Sequence, residues 1–212
     1  MSKVEYFIGG AGDKGDWISR AGGATNIMEA VSINRARTSI NIDCIYRGHE
    51  QEQEILSDIK KQWQSGKYKS IRVTGHSWGG KAAMDLAQDL FNSGVPVDEL
   101  ITLDPVSLFP FGKIHVARWV NVYIKQSLID NTVGKIPIVG NLLSGIVTLP
   151  TLMTNSGRSG GYIANVGGQL GAENGAHNIE INAPHADAQT MYDRARKEMV
   201  NAPVGSRVIG TK

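Results

Sequence analysis

Cysteine is almost absent from the chain: Cys44 is the single one in 212 residues. No intramolecular disulfide can form, which excludes the stapled scaffolds of small secreted domains. Cys44 lies in the strand-like run SINIDCIYRG and reads as a buried apolar residue, since nothing near it in sequence would lower its pKa. Charge of one sign is also lacking. With 22 Lys and Arg against 20 Asp and Glu, the net charge is +2, which gives no electrostatic case for nucleic acid as a partner. Histidines, cysteine and carboxylates do not gather at metal-ligand spacings, so neither a metal nor another cofactor is expected. Trp17, Trp63, Trp78 and Trp119 are too dispersed to form a stacking platform for sugars or bases, and Trp63 is expected in the core. There is no internal repeat and no low-complexity tail. The N-terminal MSKVEYFIGG has neither the apolar core nor the cleavage site of a signal peptide, so cytoplasmic residence is the default expectation, with export by a signal-independent route as the alternative.

What is present is a regular alternation of strand-like and helical runs in a chain that is 41% hydrophobic, enough for one domain over residues 1–212. Strands are expected at 4–8, 39–46, 70–74, 99–103, 119–124 and 177–181. Helices are expected at 23–33, at 50–66 with Ile55, Leu56, Ile59 and Trp63 on one face, and after residue 77 with Ala83, Leu86, Ala87, Leu90 and Phe91 on one face. A final helix carries Ala188, Met191, Tyr192, Ala195 and Met199. Strands separated by helices predict an α/β fold, with a mainly parallel sheet of about six strands covered on both faces. One stretch departs from this pattern. Residues 136–157, IPIVGNLLSGIVTLPTLMTNSG, carry no charge, but Pro137, Gly140, Asn141, Gly145 and Pro150 break the regular helix a membrane span requires. A buried connection and an apolar flap are both open readings, and 133–172 is expected to form a flap-like or lid-like insertion.

The sharpest local signal is VTGHSWGGKAAMDLA, where a strand runs into Gly75-His76-Ser77-Trp78-Gly79 and a helix follows. Gly-x-Ser-x-Gly alone says little, and Gly157-Arg158-Ser159-Gly160-Gly161 repeats it with no strand before and no helix after. At Ser77 the context differs. A strand reversing into a helix within one residue forces a strained serine and pushes its hydroxyl outward, beside a helix N-terminus that favours developing negative charge. The loop Gly9-Gly10-Ala11-Gly12 after the first strand lacks the Lys-Ser/Thr ending of a phosphate loop and the spacing of a dinucleotide fingerprint.

VTGHSWGGKAAMDLA resembles the nucleophile elbow of the α/β-hydrolase superfamily. LITLDPV resembles the acid-bearing strand end of those lipases whose acid follows the strand immediately after the elbow. The resemblance runs through most of the chain in order; more narrowly, the chain is similar to compact bacterial lipase-like hydrolases, a group that includes lipase effectors of type VI secretion. It implies a three-layer α/β-hydrolase-like sandwich lacking the first two strands of the full fold, with the order serine, acid, histidine. Ser77 is then the nucleophile. Asp104 is the favoured acid, because it emerges on the same sheet edge with Pro105 fixing its exit; Asp130 is the second candidate and reads as a turn residue. Among the histidines, His49 and His115 lie near strand ends, His177 begins a strand, and His76 lies inside the elbow with its side chain pointing away from that of Ser77. His185, between the sixth strand and the last helix, occupies the place of the base. The implied oxyanion donors are the backbone N–H groups of Trp78 and, by alignment with the lipase His-Gly loop, Ala11, with Gly10 and Gly12 beside them contacting substrate.

The activity this implies is hydrolysis of carboxylic esters through an acyl-enzyme, the uncharged segment tilting the substrate towards lipids. A thioesterase or acyltransferase using the same triad is one alternative. A catalytically silent fold binding a partner through 136–157 is the other. The partners expected are a small ester or lipid and transient contact with a membrane surface; sequence sets no oligomeric state.

Overall fold

A computed structural model describes residues 2–10, 13, 26–106, 113–124 and 175–205. Strand β1 (Ser2–Gly9) is followed by helix α1 (Ile27–Thr38), β2 (Ile42–Gly48), α2 (Glu52–Gln64), β3 (Tyr68–His76), α3 (Trp78–Asn92), β4 (Glu99–Leu103), β5 (Arg118–Ile124), β6 (His177–Ile181) and α4 (Ala188–Glu198). The strands form one sheet of six in the order β2-β1-β3-β4-β5-β6, and every neighbouring pair is parallel. The fold is α/β, with the parallel sheet of about six strands expected from the sequence. Chain order runs outward from β1 to β2 on one side and to β3 on the other, so the connections after β1 and β3 diverge. That divergence makes a topological switch point, and ligands of open α/β sheets bind outside the carboxyl ends of the strands at such points.

Alternate side chains of each strand feed two cores. Tyr6 and Ile8 of β1, Ile71 and Val73 of β3 and Leu100 of β4 pack with Ile55 and Ile59 of α2 and Met84, Leu86 and Leu90 of α3. On the opposite face Phe7, Ile101, Leu103, Val120 and Val122 pack with Met28 and Val31 of α1 and Met191, Tyr192 and Ala195 of α4. Strands covered on both faces read as continuous apolar runs, which is why the central ones were visible in the sequence. Trp63 packs half-buried against the first core.

The largest boundary shifts are at the end of α1 and the start of β2. Helix α1 continues through Thr38, and β2 starts only at Ile42, against the expected 23–33 and 39–46; residues 23–25 lie outside the described residues. The reason is polar. The carboxylate of Glu5, on β1 beneath α1, is fully buried; it accepts hydrogen bonds at 2.9 Å from Thr74 Oγ1 and from Tyr192 Oη and lies 3.4 Å from Arg35 Nε. Helix α1 therefore turns Ser32 and an arginine towards the sheet beside Met28 and Val31 and shows no apolar stripe. Cys44 is half-buried rather than buried, because β2 is an edge strand; burial and the nearby Glu5 carboxylate push its thiol up to about 11. Among the described residues no helix is long and apolar enough to cross a membrane. The expected 133–172 insertion, with the segment 136–157, lies outside the described residues, as does Ser159.

Candidate active site

Between the last residue of β3 and the first of α3 stands one residue, Ser77, at φ 56° and ψ −126°. Among the described residues the non-glycine residues with positive φ are Ser77 and Asp104, the latter at φ 44°. Such conformations cost about 1 to 3 kcal/mol each and persist where the surroundings hold them. Ser77 N–H donates to Leu103 O at 3.0 Å, while Ser77 O accepts from Gly80 N–H at 2.9 Å and from Val106 N–H at 3.0 Å. The corner also needs glycine for space. A Cβ at Gly75 would stand 2.0 Å from Gly79 O, and one at Gly79 would stand 2.2 Å from Ile8 O. Trp78, half-buried, is the first residue of α3, where backbone N–H groups have no partner within the helix.

Asp104 follows β4 directly and is fully buried. Its N–H donates to Val122 O at 2.7 Å, and its Oδ1 accepts from Ile124 N–H at 3.3 Å. Its other oxygen, Oδ2, is 2.5 Å from Nδ1 of His185. His185 stands in the connection between β6 and α4 and is 9% exposed. A carboxylate at Nδ1 places the ring proton there and leaves Nε2 as the basic nitrogen.

His76 lies beside His185, which was not foreseen. Its Nε2–H donates to the backbone carbonyl of His185 at 2.7 Å, and the two rings face each other with centroids 4.6 Å apart at 38°. Burial, and then the neighbouring His185, push its pKa down to about 3, so the ring is neutral. The two partners are 109 residues apart in sequence, and no local pattern signals the pairing.

Gly10 lies against the serine: a Cβ there would be 3.0 Å from Ser77 Cβ and 3.4 Å from Ser77 Oγ. Ala11 and Gly12 lie outside the described residues. Asp13 was missed by sequence reasoning. It is 4% exposed, its N–H donates to Gly10 O at 2.9 Å, and its Oδ2 accepts the Met28 N–H in the first turn of α1 at 2.7 Å. Tyr46 Oη donates to Asp13 O at 2.6 Å and itself accepts from Asn26 Nδ2 at 2.8 Å. Burial raises the Asp13 carboxyl above its ordinary range. A capping residue so far from its helix makes no recognisable motif, since capping boxes span only three residues.

The remaining histidines are engaged elsewhere. His49 pairs with Glu50 at 3.5 Å, His115 stacks on Phe91 at 4.2 Å, and His177 lies 4.0 Å from Glu198. Asp130 lies outside the described residues. Among the described residues no group of three or more metal-ligating side chains is gathered.

No family model and no curated protein sequence matches the chain. Among solved structures, it is similar to a provisionally assigned lipase from Sulfolobus solfataricus, at 18% identity and a TM-score of 0.30, the match spanning 49% of this chain and 37% of that one. It is also similar to ClbQ from the colibactin NRPS/PKS pathway, at 11% identity and a TM-score of 0.41, over 95% of this chain and 99% of that one. At these identities and scores neither protein carries its activity over to this chain.

Proposed function

We propose that the protein is a serine hydrolase of carboxylic esters in which Ser77 is the nucleophile, His185 the general base and Asp104 the residue that orients it. The observation that carries this reading is the buried 2.5 Å contact between Asp104 Oδ2 and His185 Nδ1, on the strand next to a strained serine corner. Asp104 and Ser77 directly follow adjacent strands, β4 and β3. A carboxylate at Nδ1 is what a histidine needs to accept a proton at Nε2 and to hold the resulting charge.

In this mechanism Ser77 Oγ attacks the ester carbonyl carbon as its proton passes to Nε2 of His185. The backbone N–H groups of Trp78 and Ala11 receive the oxyanion. Collapse breaks the bond to the alcohol oxygen, which takes the proton from His185 and leaves an acyl group on Ser77. A water then gives a proton to His185 and attacks the acyl carbon; the bond to Ser77 Oγ breaks, His185 returns the proton to Oγ, and the acid leaves with both residues restored. Gly10 keeps the space over Oγ free for the acyl group. The uncharged segment 136–157 favours lipid esters over small polar ones, and such substrates bring the protein into transient contact with a membrane surface.

Turnover of p-nitrophenyl esters of graded chain length, alongside phospholipids, tests the proposal. Wild type should hydrolyse at least one and Ser77→Ala none; added alcohols and thiols distinguish transfer from hydrolysis in the product. Equal turnover by the two proteins would refute the assignment.

A further inference from the structure

The geometry points to His76 as the positioning residue of the base: by donating from Nε2–H to the backbone carbonyl of His185, it sets where that residue holds its imidazole. The catalytic consequence rests on the hydrolase reading above. The structural one rests on the contacts alone.

Among the described residues few contacts secure His185. The connection 182–187 contains Pro184, which has no N–H to give, and its internal hydrogen bond is the turn from Asp187 N–H to Pro184 O at 2.9 Å. That turn leaves the carbonyl of His185 outside it. The partner comes from across the sheet edge, from His76 at 2.7 Å. A base on a loop needs its residue held to within about 0.5 Å for proton transfer to stay productive. One contact to Asp104 fixes the ring's direction; the contact from His76 fixes the main chain the ring grows from.

The donor's own position is firm. His76 is the last residue of β3, in register with Leu103 of β4, and is 3% exposed. It directly precedes Ser77, so one dipeptide carries both the nucleophile and the tether of the base, and any shift of the corner moves both.

Chemistry limits what can stand here. A carbonyl accepts only from a donor, so phenylalanine would fill the space without the bond. Lysine would donate, but it would place a charge where His185 becomes an imidazolium during acyl transfer. Histidine in its neutral form donates with no charge, facing the His185 ring at 4.6 Å. Glutamine meets both demands, because its side-chain nitrogen reaches about as far as Nε2.

The test compares wild type with His76→Phe, His76→Asn and His76→Gln. Two readouts are taken: kcat and KM on a short p-nitrophenyl ester, and the Nδ1–H signal of His185 in protein carrying nitrogen-15 histidine. His76→Phe should lower kcat by about a hundredfold, the effect of misplacing a catalytic group by roughly 1 Å, with KM changed less than about twofold. It should also shift or broaden the His185 signal. His76→Asn, whose amide stops one bond short, should behave like His76→Phe even if the latter folds poorly. His76→Gln should restore both readouts. The inference is overturned if His76→Phe keeps kcat and signal, or if folded His76→Gln is as impaired as His76→Asn. If wild type shows no Ser77-dependent turnover while the signal responds as described, the hydrolase reading falls and the tether stands.

Discussion

Replacing Asp104 by Asn changes one atom and should nearly stop the reaction. The carboxylate has two acceptors in use, Oδ1 for Ile124 N–H at 3.3 Å and Oδ2 for His185 Nδ1–H at 2.5 Å. The site is fully buried, so solvent cannot stand in for either. An asparagine has one acceptor. If its oxygen stays with Ile124, its NH2 faces Nδ1, and His185 must carry its proton on Nε2, the nitrogen that has to be empty. The opposite flip sets two N–H donors face to face at Ile124, leaving a buried donor unmade at about 1 to 3 kcal/mol. The first arrangement should therefore prevail. A wrong tautomer of this kind lowers kcat by about ten-thousand-fold, roughly 5 kcal/mol of barrier. Steady-state hydrolysis of a p-nitrophenyl ester measures it, with circular dichroism to show that the fold is intact. Asp130→Asn, assayed beside it, should change kcat little. Retention of more than about a tenth of the activity in Asp104→Asn, or a larger loss in Asp130→Asn, would refute the reasoning.

Three further outcomes follow from named contacts. Gly79→Ala puts a Cβ 2.2 Å from Ile8 O, a backbone atom, and should destabilise by about 1 to 3 kcal/mol as the corner and β1 part; an unchanged urea midpoint would contradict that close approach. His76 is depressed to about 3 from an ordinary value near 6.5. The unfolded chain thus takes up its proton first, so the stability contributed is complete above about pH 6.5 and drains away as pH falls towards 3. At about 1.4 kcal/mol per pH unit, wild type should lose about 2 to 3 kcal/mol more than His76→Gln between pH 7 and pH 4.5; equal losses in urea titrations would count against it. Tyr46→Phe removes the bond to Asp13 O at 2.6 Å, and Asp13 in turn donates to Gly10 O beside Ser77; the substitution should cost about 1 kcal/mol of stability and lower kcat with KM little changed. Unaltered kcat and melting temperature would show that Gly10 and Asp13 are held without it.

β1, β4 and β5 were legible because they are buried on both faces and so leave largely apolar runs, and β3 because Ile71 and Val73 alternate with Ser70 and Arg72. The serine corner was legible through glycines whose absence of a Cβ is demanded by Gly79 O and Ile8 O. Asp104 and His185 were singled out by their places in the chain together with the resemblance to α/β-hydrolases, and their side chains meet at 2.5 Å. What escaped was polar and long-range. Helix α1 packs through Ser32 and Arg35 over Glu5, so no stripe marked its bounds. The Asp13–Tyr46 contact joins residues 33 apart, and His76 reaches a main-chain carbonyl, a partner that no side-chain pattern can reveal.

The central claim is that Ser77 is an activated nucleophile, and covalent trapping tests it most directly. Folded wild type exposed to a fluorophosphonate, digested and mapped by mass spectrometry, should carry one adduct, on the peptide containing Ser77, and Ser77→Ala should carry none. An unlabelled folded wild type, or an adduct on Ser159 or another serine instead, would contradict the account.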